Sequence, residues 1–130
     1  NGTLVVTQWL SVQAGSSKRA NVAMIEQLLT HEAFDWRNPN KVRSVLGVFA
    51  SQALVSFHQA DGSGYALLAD AILKLNAINP QMASRLLTPL TRWKRLVPEL
   101  SSQMRQQLER IQAADDLSKD VYEVVSKSLS

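Results

Sequence analysis

The stretch Asn79-Pro80-Gln81-Met82-Ala83-Ser84-Arg85-Leu86-Leu87-Thr88-Pro89-Leu90-Thr91-Arg92-Trp93 decides the fold class. Met82, Leu86, Leu90 and Trp93 recur every three or four residues, the spacing of one face of an α-helix. Asn79 and Pro80 mark its start. An asparagine side chain satisfies an orphan amide there, and a proline at the first helical position has no amide to lose. Pro89 falls inside the apolar stripe and removes one backbone hydrogen bond, so a kink is expected at that point. Trp93 shares the stripe and is expected in the core, flanked by Arg92, Lys94 and Arg95.

The same signature stands 41 residues earlier. Asn38-Pro39-Asn40 precedes Val42, Val45, Leu46 and Phe49 at i, i+3, i+4 and i+7. Each start is followed by an arginine near the first turn (Arg43, Arg85) and then by a leucine (Leu46, Leu87). A period near 40 is that of helical-hairpin solenoids. Working outward, Val22, Ile25 and Leu29 form a helical stripe, as do Leu68, Ile72 and Leu75. Leu100, Met104, Leu108 and Ile111 form another, and Val121, Val125 and Leu129 the last. Thr3 to Thr7 is β-branched, but Val5, Trp9 and Val12 fit a helix face, and the segment is read as helix. Ala14-Gly15-Ser16-Ser17 and Asp61-Gly62-Ser63-Gly64 read as loops between helices, and Pro98-Glu99 and Leu117-Ser118 as further starts. The expected fold is all-α: a superhelical stack of antiparallel helix pairs of the ARM/HEAT kind, with about eight helices.

Composition sets the outer bounds. The chain has 130 residues and a mass of 14.4 kDa, the size of one domain, here read as spanning residues 1–130. A chain of this length buries roughly 68% of its unfolded surface, enough for a core without staples. There is no cysteine, which excludes disulfides and thiolate chemistry. No apolar run is long enough to span a bilayer, and no signal peptide is visible. The sequence starts at Asn1 rather than methionine, so a fragment or processed product is expected. Net charge is +3, and residues 81–110 hold six basic side chains against two acids. Because the acids are interleaved, this region reads as a solvated helix face rather than a nucleic-acid surface.

Candidate catalytic groups are sparse. His31-Glu32-Ala33-Phe34-Asp35 approaches the H-E-x-x-H zinc motif, but its fifth position is aspartate and it sits at a helix end. It reads as a polar terminus, with His31 favourable near the helix C-terminal dipole. His58 and Asp61 stand three residues apart without a serine elbow, and Gly62-Ser63-Gly64 is too short to cradle phosphate. The residues alone thus give an all-helical chain with no catalytic set.

Three segments occur in a telling order: Asn38-Pro39-Asn40-Lys41-Val42-Arg43-Ser44, then Phe57-His58-Gln59-Ala60-Asp61-Gly62-Ser63-Gly64-Tyr65, then Asn79-Pro80-Gln81-Met82-Ala83-Ser84-Arg85-Leu86. Leu117-Ser118-Lys119-Asp120-Val121-Tyr122-Glu123 completes the pattern. Over nearly its whole length the chain resembles the C-terminal helical domain of bacterial aminopeptidase N, the alanyl aminopeptidase of the gluzincin zinc metallopeptidases. That resemblance implies a four-domain cytoplasmic enzyme, with peripheral attachment to the inner membrane left open, that removes N-terminal residues from peptides. It places the zinc on an H-E-x-x-H helix in another domain, so no metal and no catalytic residue is expected here. The partners it implies are the catalytic domain of the same polypeptide and peptide substrates, with this domain covering an internal chamber. The alternative is a free-standing helical-repeat module that binds peptide or protein.

Within that frame the polar residues at the two Asn-Pro starts are the candidate chamber-facing groups. Gln81 and Arg85 lie one turn apart and can point the same way, and Arg43 occupies a related place on the first start. The competing reading is that Arg43 and Arg85 hold neighbouring helices together through carboxylates or carbonyls.

Overall fold

A computed structural model describes residues 22–31, 34–52, 57–59 and 61–130. The expectations for Val5, Trp9 and Val12 and for the loop at 14–17 lie outside the described residues. Among those described, every regular element is helical. The chain folds as two compact units, Asn1–Gln59 and Ala60–Ser130.

In the first unit, α1 (Val22–Leu29) buries Ile25 and Leu28. The next helix starts as read: α2 (Pro39–Val42) is capped by Asn38, whose Oδ1 accepts from the amides of Asn40 at 3.0 Å and Lys41 at 3.4 Å. It does not continue as regular α-helix. Residues Arg43–Gly47 form a π-helical segment, and α3 (Val48–Gln52) follows. Within this stretch the Ser44 hydroxyl donates to the Asn40 carbonyl at 2.7 Å, a back-bond of the kind that accompanies bent helices. The widened turn keeps the predicted stripe inside, with Val42, Val45, Leu46 and Phe49 all fully buried. Phe57 meets Phe49 edge to face, ring centroids 5.6 Å apart.

The second unit begins at a turn. Asp61 Oδ1 accepts from the Ser63 amide at 2.9 Å and the Ser63 hydroxyl at 2.7 Å, and Gly62 takes φ 76°. Any side chain there would be strained, and a Cβ would lie 2.6 Å from Gln103 Oε1. This turn launches α4 (Ser63–Ile78), which buries Leu68, Ile72 and Leu75 as its stripe requires. Asn79 then caps α5 (Pro80–Leu86), its Oδ1 accepting from the Met82 amide at 3.2 Å.

The kink expected at Pro89 is not found; the proline ends the helix instead. Lacking an N–H, it leaves the Arg85 carbonyl to accept from Thr88 at 3.2 Å, and the chain tightens into a 3₁₀ segment, Leu90–Arg95. Trp93 is accordingly half-buried rather than in the core. Its Nε1 donates to the Ser128 carbonyl at 3.1 Å, and Lys94 and Arg105 lie over its ring. Two helices complete the unit: α6 (Pro98–Gln112), burying Met104, Leu108 and Ile111, and α7 (Lys119–Leu129), capped by Ser118 and burying Val121 and Val125.

Within this unit α4 packs on α5 and α6 on α7, while α4 also packs on α6 and α5 on α7. Two polar ties fix that arrangement. Arg110 on α6 donates to Asp70 Oδ1 at 2.7 Å and to the Ala66 carbonyl at 3.2 Å, both on α4. Asn76 on α4 reaches the α6–α7 loop twice, accepting from the Ser118 amide at 2.8 Å and donating to the Asp116 carbonyl at 3.0 Å.

Candidate functional site

The two Asn-Pro starts share one register in their apolar residues. Four, seven, eight and eleven residues after Asn38 come Val42, Val45, Leu46 and Phe49; at the same distances from Asn79 come Ala83, Leu86, Leu87 and Leu90. All eight are buried. The amide side chains also correspond, Asn40 and Gln81 each standing two residues after the cap.

The arginines do not. Arg43 is five residues beyond its cap and Arg85 six beyond its own, about 100° of helix apart. The position matching Arg85 in the first start is Ser44, which is buried, and the position matching Arg43 in the second is Ser84. The related place assigned to Arg43 from the sequence is therefore corrected by one residue.

Their surroundings differ as well. Arg43 is exposed, and its Nη2 donates to Asn40 Oδ1 at 2.6 Å, a short charge-assisted bond within its own helix. Gln81 and Arg85 are both exposed. Among the described residues neither side chain has a hydrogen-bond or ion-pair partner; the Gln81 carbonyl, on the backbone, accepts from the Ser84 hydroxyl at 2.8 Å. The interhelical tie weighed for both arginines is thus absent among the described residues. α5 brings Gln81 and Arg85 together, and Arg43 belongs to the other compact unit. Arginine's planar fork of donors suits carbonyls and carboxylates.

The remaining titratable groups have structural surroundings. Asp61 is held below its ordinary pKa by its bonds from Ser63. Burial lowers the His58 pKa, and the His58 ring meets Phe57 at 4.9 Å between centroids. Burial pushes the Tyr65 hydroxyl up to about 12. His31 follows the end of α1, its amide bonded to the Leu28 carbonyl, and Asp35 Oδ1 accepts from the Arg37 amide at 2.9 Å. The near-motif is therefore not carried on a helix interior, although residues 32 and 33 lie outside the described set. Among the described residues no three His, Cys, Asp or Glu side chains group to hold a metal.

Sequence reading missed Asn76 and the Arg110–Asp70 tie. The signal for Asn76 was a poor helix former one turn beyond Ile72, on the edge of an apolar stripe. The Arg110–Asp70 tie spans 40 residues and had no local signal.

Residues 1–130 match the family model described as "Domain of unknown function (DUF3458_C) ARM repeats", and the chain belongs to that family. The chain is 39% identical to aminopeptidase N of Haemophilus influenzae over 126 residues, covering 97% of this chain and 14% of that protein. It is 44% identical to aminopeptidase N of Caulobacter vibrioides over 126 residues, covering 97% and 15%. It is 40% identical to aminopeptidase N of Escherichia coli over 127 residues, covering 98% and 15%. A crystal structure of Legionella pneumophila aminopeptidase A in complex with aspartic acid superposes with a TM-score of 0.88 at 34% identity, over 99% of this chain and 15% of that one. The resemblance read from the sequence is borne out, and the chain spans about one seventh of the length of the relatives it matches.

Proposed function

We propose that residues 1–130 are the C-terminal helical domain of a zinc-dependent aminopeptidase that removes N-terminal residues from peptides. The observation that carries this is the match of almost the whole chain to a small part of much longer aminopeptidases. The domain is one part of a four-domain cytoplasmic enzyme, and its helix pairs stack as consecutive repeats. The packing of the second unit supports that stacking: first helices meet (α4 on α6), and second helices meet (α5 on α7). No described helix is long and apolar enough to cross a membrane.

In this reading the domain covers the catalytic chamber and supplies no catalytic group. Arg85 and Gln81 face the chamber and bind peptide carbonyls or a C-terminal carboxylate beyond the cleaved bond. Such contacts are equal in ground and transition state, so they lower KM without raising kcat. Arg43, already engaged by Asn40, contributes less. Zinc in the catalytic domain supplies a metal-activated water, and this chain's residues only hold and limit the peptide.

The test is to express the complete gene product and the 130-residue chain separately. The former is expected to release N-terminal residues from a peptide, to lose that activity to a chelator and to regain it with zinc; the latter should be inactive. A complete gene product with no H-E-x-x-H sequence and no aminopeptidase activity would overturn the reading and leave a helical-repeat binding module.

A further inference from the structure

The basic residues between 85 and 110 have unequal employment. Arg110 is bound to α4, and Arg105 pairs with Glu109 at 3.5 Å and lies over Trp93. Lys94 donates to the Ser130 carbonyl at 3.0 Å. Arg92 and Arg95 are exposed, and among the described residues neither has a hydrogen-bond or ion-pair partner. Glu99, the nearest acid along the chain, is exposed and makes no ion pair with either.

Their backbone sets the geometry. Both lie in the 3₁₀ segment Leu90–Arg95, and in a 3₁₀ helix side chains at i and i+3 eclipse. Arg92 and Arg95 therefore leave the backbone on one face. That segment is anchored to the unit: Leu90 is fully buried, and the Trp93 side chain is bonded to the Ser128 carbonyl. Like charges so placed repel, and a fixed backbone keeps them from separating at the root. An anion between them removes that cost. Just beyond, Val97, at the N-terminal cap of α6, is 58% exposed, the most exposed large apolar residue among those described. Arginine is enriched at protein interfaces, and an exposed apolar neighbour supplies the apolar area that such interfaces bury.

We infer that Arg92, Arg95 and Val97 form a docking surface for a carboxylate-bearing face of the remaining polypeptide. This rests on the reading of the chain as one domain of a longer aminopeptidase. The relatives are about seven times longer than the matched segment, so in them this domain has extensive covalently attached protein to pack on. The net charge of +3 makes an acidic partner face the complementary one.

The experiment uses the complete polypeptide with Arg92→Lys and Arg95→Lys together, which keeps both charges and adds amines. A zero-length carbodiimide couples an amine only to a carboxylate it touches, and mass spectrometry of the digest locates the bond. The expected result is coupling of position 92 or 95 to an aspartate or glutamate outside residues 1–130, falling at least fivefold in 1 M NaCl. Coupling only to acids within residues 1–130, or none at either position, would overturn the inference. Retention of double-stranded DNA or phosphatidylserine vesicles by the unaltered polypeptide, abolished by R92E/R95E, would overturn it in favour of a phosphate partner. Aminopeptidase activity of the same sample reports separately on the parent reading: an active enzyme without such cross-links contradicts this inference alone.

Discussion

The starts at Asn38 and Asn79 bury the same four apolar positions and present different polar faces. Six residues after the cap, the first carries Ser44, buried and back-bonded to Asn40, in a helix widened to π form. The second carries Arg85, exposed, in a helix that stays regular until Pro89 intervenes. One packing register thus serves two purposes. The first start turns its polar groups on itself, through Asn40–Arg43 and Ser44–Asn40, and the second leaves the Gln81 and Arg85 side chains exposed.

Exchange of those two residues breaks the comparison most severely. Ser44→Arg places a charge in a full core and is expected to destabilise the first unit by on the order of 4 kcal/mol, combining overpacking with an unpaired buried charge. Arg85→Ser should change stability by less than about 0.5 kcal/mol, as surface changes do. Amide hydrogen exchange across residues 38–52 and 79–95 reads both. Comparable losses at the two sites would show that Arg85 is structural.

The caps sharpen what is shared. Asn38→Ala and Asn79→Ala should each cost about 1 kcal/mol, with local exchange accelerated in the first turn that follows. Asn38 accepts from two amides and Asn79 from one, so the first loss should be slightly larger. No effect at Asn79 would mean that Pro80 alone starts α5.

A smaller effect is expected at His58. Burial holds its folded pKa below the ordinary 6.5, so the fold favours the neutral ring. Its contribution is complete above about pH 6.5 and is lost as pH falls through the folded value. Protection around residues 57–59 should weaken between pH 7.5 and 5.5, and His58→Asn should flatten that dependence. A variant with the same pH profile would assign the effect to other groups.

Much of this was legible in the sequence because it is local. The Asn-Pro and Leu-Ser caps, the turn at Asp61–Gly62 and the stripes at 42–49, 68–75 and 104–111 need only neighbours along the chain, and these reappear in the structure. The departures are places where one local rule met another. At Arg43–Gly47 the helix widens to π form, and periodicity alone does not register a π turn that keeps the same face buried. At Pro89 the missing amide ended the helix, and the 3₁₀ geometry then moved Trp93 partly out of the core. Asn76 and Arg110 act across 40 residues or more, beyond any pattern in the sequence. That Gln81 and Arg85 lie one turn apart on α5 followed from spacing. The engagement of Arg43 by Asn40 depended on a rotamer and did not.

The most direct test of Arg85 as a peptide-binding group is Arg85→Ala in the complete enzyme, assayed on a tripeptide and on a single-residue chromogenic amide. A direct, desolvated contact to arginine contributes on the order of 1.5–3 kcal/mol, so KM for the tripeptide should rise roughly ten- to a hundredfold with kcat nearly unchanged. If Arg85 binds beyond the cleaved bond, the amide is too short to reach it and should be hydrolysed at the normal rate. Equal losses on both substrates, or no loss on either, would contradict the assignment.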